Sequence, residues 1–148
     1  MQTINIPCVI LSGGKSSRMG KDKSLLPFGE FNTLIQYQYQ KLSKIFRKVY
    51  ISTKINKFDF EADLILDDNV NIFSPMIALQ SILKGLKAQK VFIITVDIPF
   101  VEKETILSLI KKSSNFDITI AQDKNKIHNL CGVFDKNTLS TINDLLIN

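Results

Sequence analysis

The 148 residues make up one ordinary domain, able to bury roughly 68–70% of the surface its unfolded chain exposes. With 45% apolar and 22% charged residues the composition is globular, not disordered, and no apolar run approaches the ~20 residues of a membrane span. The net charge of +5 comes almost wholly from lysine, which reads as surface solvation and not as a nucleic-acid signature.

The N-terminal MQTINIPCVIL has no basic stretch ahead of a long apolar core, so no signal peptide is read. Ile6–Leu11 predicts a buried first strand, with Pro7 near its start where a missing donor is tolerated. A long loop follows. The helical spacing of Leu34, Ile35, Leu42, Ile45 and Phe46 predicts a helix over 33–46. Val49–Thr53 and Ala62–Leu66 predict two short strands, and Ser74-Pro75 opens a helix that carries Ile77, Ile82, Leu83 and Leu86 towards a sheet.

Lys90–Val96 is the strongest strand, apolar throughout as expected when both faces are covered. A helix over 102–112 has Glu102 and Glu104 in its first turn and Lys111 and Lys112 in its last, a polarity that complements the helix dipole. Phe116–Ala121 and Leu130–Phe134 supply two more strands, and Asn137–Ile147 a last helix. Short apolar runs alternating with amphipathic stretches predict a mainly parallel sheet with helices on both faces. Cys8 and Cys131 have no CxxC spacing and are expected to be buried free thiols in a reducing, cytoplasmic setting.

The chemistry concentrates in the loop Leu11-Ser12-Gly13-Gly14-Lys15-Ser16-Ser17-Arg18-Met19-Gly20-Lys21-Asp22-Lys23. It leaves the carboxyl end of the first strand, where open parallel sheets bind ligands. Paired glycines let the backbone approach a phosphate chain, and Lys15, Arg18, Lys21 and Lys23 add four cations against the single acid Asp22. The spacing fits neither standard phosphate fingerprint: Gly14 and Gly20 have five residues between them, and no glycine follows Gly13 at the dinucleotide spacing. Asp97 ends the most apolar strand, so its carboxylate should emerge into the same crevice, where a single Asp beside phosphates suits magnesium. Asp67 stands at another strand end, either as a nucleotide contact or as a solvated acid beside Asp68.

The segment LSGGKSSRMGKDKSLLPFG resembles the opening signature of molybdenum cofactor guanylyltransferases, L-A-G-G-x-S-x-R-M-G-x-D-K-x-L-L. The cytidylyl counterparts usually have L-A-A-G, so the second glycine favours guanine. Thr95-Val96-Asp97-Ile98-Pro99-Phe100 resembles the family's C-D-x-P-[FY] motif, whose aspartate binds the metal. Asp67 resembles an aspartate ahead of a G-P-L-A-G helix start, here Ser74-Pro75-Met76-Ile77-Ala78. Lys54 departs from an asparagine that contacts the nucleotide, and His128-Asn129-Leu130-Cys131-Gly132-Val133 resembles an H-P-L-x-G-L strand. Nothing after Asn137 resembles the family's N-x-N-T-P-x-[DE] motif, so the chain is expected to be a single nucleotidyltransferase domain, 1–148, short of the family's C-terminal part.

The resemblance implies a three-layer α/β/α fold with a mainly parallel Rossmann-like sheet, of the nucleotide-diphospho-sugar transferase type. It implies transfer of GMP from magnesium-GTP to the phosphate of molybdopterin or the molybdenum cofactor, releasing pyrophosphate. Arg18, Lys23 and Asp97 would be catalytic, and Leu11, Ser12, Gly13, Gly14, Lys23, Asp67 and Asp97 would bind nucleotide. Backbone amides of Ser12, Gly13 and Gly14 would contact it, and Asp97 would hold Mg2+. The implied partners are GTP, molybdopterin or the molybdenum cofactor, cofactor-delivery proteins and molybdoenzymes; neither nucleic acid nor membrane is expected. Alternatives are a related enzyme using CTP or a sugar phosphate, and a nucleotide-binding paralogue without catalysis. A lone histidine without a Cys/His cluster cannot form a zinc site, so His128 is either structural or a substrate contact.

Overall fold

The computed structural model describes residues 3–12, 23–67 and 74–147, with the backbone alone at Lys23 and Ile147. The apolar runs become six strands: β1 (Cys8–Leu11), β2 (Val49–Thr53), β3 (Asp63–Leu66), β4 (Lys90–Thr95), β5 (Ile118–Gln122) and β6 (Ile127–Asp135). They form one sheet in the order β3-β2-β1-β4-β6-β5. β1 lies parallel between β2 and β4, and β3 pairs parallel with β2. β6 alone runs against its neighbours, antiparallel to both β4 and β5. The mostly parallel sheet expected from the sequence is thus observed.

Among the described residues four helices cover the faces: α1 (Leu34–Ser43), α2 (Pro75–Gly85), α3 (Lys103–Lys112) and α4 (Thr138–Ile147). β1 explains the layering, because all four of its residues are buried and successive side chains point to opposite faces. Cys8 and Ile10 join Ile35 and Leu42 of α1 and Ile106 and Leu109 of α3 in one core. Val9 and Leu11 join Leu79, Ile82 and Leu83 of α2 and Ile142 of α4 in the other.

The caps follow the sequence. Thr33 Oγ1 accepts from the Gln36 amide at 3.2 Å, and Ser74 Oγ accepts from the Met76 amide at 3.2 Å with Pro75 as the first helical residue. α2 turns Ile82 and Leu83 inward as expected, with Leu86 packed partly beside them, and Leu79 takes the place expected of Ile77. Leu79, Ile82 and Leu83 form the buried stripe, spaced as one side of a helix requires, and Ile77 is only half-buried.

β5 begins at Ile118, two residues later than expected, leaving Phe116 exposed. β6 is nine residues long where the sequence predicted five. Its pairing with β4 runs from Cys131 to Asp135, so Ile127–Leu130 extend past that ladder as a ribbon with β5. A register shift between Ile120 and Ala121 brings β5 close to Gly132, where an added Cβ would lie 2.0 Å from the Thr119 carbonyl oxygen.

Both cysteines are free and buried. Burial raises the Cys8 thiol well above its ordinary range, reinforced by the neighbouring Cys131, and burial pushes the Cys131 thiol up to about 11. Thiolate is the reactive form, so at pH 8 native protein should show no rapidly titrating thiol with Ellman's reagent, and two after denaturation. Fast labelling of either cysteine in the folded protein would contradict this burial.

Candidate active site

The strand order reverses at β1, with β2 and β3 on one side and β4 on the other. Open α/β sheets bind ligands at such a switch point, outside the carboxyl ends of the strands. The registers place Leu11 beside both Ser52 and Thr95, and Thr53 beside Leu66. The residues that follow these positions therefore line one edge of the sheet. Of the expected site residues, Leu11, Ser12, Asp67 and Asp97 come together along it. Lys23 enters only through the backbone of a 3-10 turn, Lys23–Leu25. Gly13, Gly14 and Arg18 lie outside the described residues, as do Lys15 and Lys21.

Ser12 has a different job from the one expected of its amide. Its N–H donates to the Ser52 carbonyl at 3.0 Å and its hydroxyl donates to the same oxygen at 3.1 Å. Both donors are therefore committed to β2, and Ser12 anchors the start of the loop. Leu11 is similarly fixed, its carbonyl accepting from the Val96 amide at 3.2 Å. Any backbone amides presented to a phosphate must come later in the loop. The Ser12 carbonyl accepts from Lys57 Nζ at 3.4 Å, so a cation that sequence reasoning passed over stands at the loop's base. Lys57 follows no motif, and only the fold brings it to β1.

Asp67 is buried, which removes its reading as a solvated loop acid. Its amide donates to the Thr53 carbonyl at 3.1 Å, extending the β2–β3 ladder by one residue. Asp67 Oδ2 accepts from Lys54 Nζ at 3.2 Å, and the two side chains are only 3% and 8% exposed. Asp67 Oδ1 is buried and without a hydrogen-bond partner. Lys54, the departure from the family's asparagine, is thus the counter-ion of the carboxylate expected to contact nucleotide. Buried carboxylates are costly unless paired and hydrogen-bonded, and here one oxygen has that compensation and the other lacks it.

Asp97 sits exposed on the turn after β4, its amide donating to Thr95 Oγ1 at 3.1 Å. The turn is closed by the Ile98 amide donating to the Thr95 carbonyl at 3.3 Å. Two residues of α1 reach it from below. Gln38 Nε2 donates to the carbonyls of Thr95 and Ile98 at 3.3 and 3.2 Å. Lys41 Nζ donates to those of Pro99 and Val101, both at 2.8 Å. Burial holds the Lys41 ammonium below the ordinary lysine range, opposed by the nearby charge of Glu102.

Among the described residues no three metal-ligating side chains cluster. A single exposed carboxylate at the ligand edge nevertheless fits magnesium, which keeps several waters and takes one or two carboxylates plus substrate phosphates.

His128 lies on the β5–β6 ribbon, beyond the carboxyl end of β4. Its Nε2 lies 3.0 Å from Asp123 Oδ2, and Asp123 Oδ1 accepts from the Asn125 and Lys126 amides at 3.0 and 2.9 Å. The hydrogen bond from His128, followed by those amides, holds the Asp123 carboxyl below its usual range. Asp123 therefore both shapes the hairpin turn and orients the imidazole.

The sequence profile of the MobA-like NTP transferase domain matches residues 8–148. A Campylobacter jejuni protein named molybdenum cofactor guanylyltransferase is 42% identical over 99% of this chain and 77% of its own length. One of that name from Helicobacter pylori is 36% identical over 93% of this chain and 70% of its own. The crystal structure of molybdopterin-guanine dinucleotide biosynthesis protein A from Archaeoglobus fulgidus superposes with a TM-score of 0.79. It is 17% identical, covers 96% of this chain and 73% of that one, and shares its fold. With β1 ending at the sheet's switch point and Asp67 and Asp97 following the ends of β3 and β4, the chain belongs to the MobA-like NTP transferase family.

Proposed function

We propose that this chain transfers GMP from GTP to the terminal phosphate of molybdopterin, or of its molybdenum-bearing form, and releases pyrophosphate. The reading rests on one convergence: the loop opening at Ser12, the buried Asp67 and the exposed Asp97 share the ligand edge of one sheet. Relatives named as guanylyltransferases support the same chemistry.

The acceptor phosphate is already anionic, so no nucleophile or general base is required of the protein. An acceptor oxygen bonds to the α-phosphorus as the bond to the bridging oxygen of pyrophosphate breaks, and the departing pyrophosphate keeps the electron pair. The protein must align these atoms and neutralise their charge. Gly13 and Gly14 are assigned to the nucleotide from the sequence motif, with Leu11 and Ser12 fixing where the loop begins. Arg18 and Lys23 neutralise triphosphate oxygens, and Asp97 is the residue that would hold magnesium. Magnesium supplies Lewis-acid stabilisation of the transferring and leaving phosphates. Asp67 stands at the same edge as a nucleotide contact, its carboxylate fixed by Lys54. We place the reaction in the cytoplasm, in keeping with two free buried thiols.

The test is pyrophosphate release with molybdopterin and magnesium, using GTP, CTP, ATP or UTP in turn. GTP should exceed each of the others in kcat/KM by at least about ten-fold, a discrimination of 1.4 kcal/mol. Preference for CTP would move the chain to the cytidylyl branch, and GTP binding without pyrophosphate release would make it a non-catalytic paralogue.

A further inference from the structure

We infer that Gln38, with Lys41 beside it, is a positioning residue that sets the Asp97 carboxylate for its metal from beneath the sheet edge. The inference rests on the reading of Asp97 as metal ligand. Four carbonyls of the segment 95–101 are held by two side chains of α1, spaced three residues apart on one helix face. The Gln38 amide is the more telling of the two. Its Nε2 binds the carbonyls of Thr95 and Ile98, two residues before Asp97 and one after, so it brackets the turn from both sides. Asp97 itself has an exposed carboxylate at the top of that bracket.

The chemistry of Gln38 argues against a purely structural purpose. It is 1% exposed, and its Oε1 is buried with no hydrogen-bond partner among the described residues. Half of its amide is therefore left unsatisfied in a core lined by Ile35 and Leu42 of the same helix. An apolar residue would fill that space without an orphaned oxygen of its own, but it would leave the Ile98 carbonyl without this donor. What Gln38 supplies, and an apolar residue would not, is a donor aimed at both flanks of one turn. Groups that orient a metal-binding carboxylate from behind typically change metal affinity or activity by about 10–100-fold when removed. Lys41 fixes the segment two and four residues beyond Asp97, so its influence on the carboxylate is weaker.

The experiment compares GTP affinity with and without Mn2+, by calorimetry, in the wild-type chain and in Gln38→Met, Lys41→Met and Asp97→Asn. Methionine keeps the approximate shape of either side chain and removes its donors. In Gln38→Met the gain in affinity from Mn2+ should shrink about ten-fold or more, while metal-free GTP affinity stays close to wild type and the melting temperature falls by only a few degrees. Lys41→Met should move in the same direction by less. A full Mn2+ gain in a folded Gln38→Met overturns the inference. Should that variant not fold, a full Mn2+ gain in Lys41→Met overturns it equally. Equal losses of metal-free and Mn2+-bound affinity would also overturn it, since they would mark a structural role. If Asp97→Asn keeps the whole gain, the assignment of the metal to Asp97 fails first, an outcome separable from failure of the bracket alone.

Discussion

Lys54→Met is expected to lower the stability of the domain by roughly 3–5 kcal/mol, the usual consequence of leaving a buried charge without its counter-ion. The reasoning starts from the two side chains, 8% and 3% exposed, joined at 3.2 Å. Within the protein the pair attracts strongly enough to offset part of what it lost in leaving water. Once the ammonium is gone, Asp67 keeps its burial and has neither a charge partner nor a partner for its second oxygen. A loss of that size is a large part of the ~5–15 kcal/mol typical of a whole domain. It should appear as a fall in melting temperature of about 10 °C or more. The double variant Lys54→Met/Asp67→Leu should recover most of the loss, because removing both charges removes the uncompensated burial with them. Denaturant unfolding of the three variants checks the cycle. A single variant within 1 kcal/mol of wild type would show that the pair is solvated and that Asp67 is not the buried carboxylate described above.

Gly132→Ala is the second large effect, and its origin is steric. The added methyl would lie 2.0 Å from the Thr119 carbonyl oxygen and 2.8 Å from the Ile120 Cα, both backbone atoms of the neighbouring strand. Ordinary overpacking against flexible side chains costs about 1–3 kcal/mol; here the obstacle is a hydrogen-bonded ladder, so the loss should exceed that range. β5 must move away from β6 near its irregularity between Ile120 and Ala121. A melting temperature lowered by about 10 °C or more is expected, with loss of amide protection along β5 and β6 before the rest of the sheet. Unchanged stability would mean that the two strands are further apart than this packing.

Much of the fold was legible because its signals are local. The uninterrupted run Lys90–Thr95 reads as a doubly covered strand, and Ser74-Pro75 reads as a helix start, because each depends on residues adjacent in sequence. The direction of β6 was not legible, since a strand's apolar pattern is the same whichever way it runs. Its first residues were legible only through the family resemblance of His128–Val133, because Ile127 is exposed and no apolar run marks the start of the strand.

At the site, Asp67 and Asp97 announced themselves as strand-end carboxylates. Lys54 did not announce itself as the partner of Asp67, thirteen residues away, because that contact exists only once β2 and β3 pair in register. Gln38 was hidden for a different reason. A glutamine among apolar residues is read as solvent-facing, and only tertiary contact with the carbonyls of Thr95 and Ile98 reveals it as core.

The overhang of β6 divides the cleft by rigidity. On the β1 and β4 side, strands buried on both faces can open only when the sheet itself comes apart, so the strand ends there are the firm part of the cleft. Across from them, Ile127–Leu130 are tied to β5, and a two-stranded ribbon is marginally stable by itself. Local opening should therefore be easier at that wall than at the floor. A nucleotide would meet a template of fixed dimensions, and whatever approaches past His128 would meet a surface that yields to its shape.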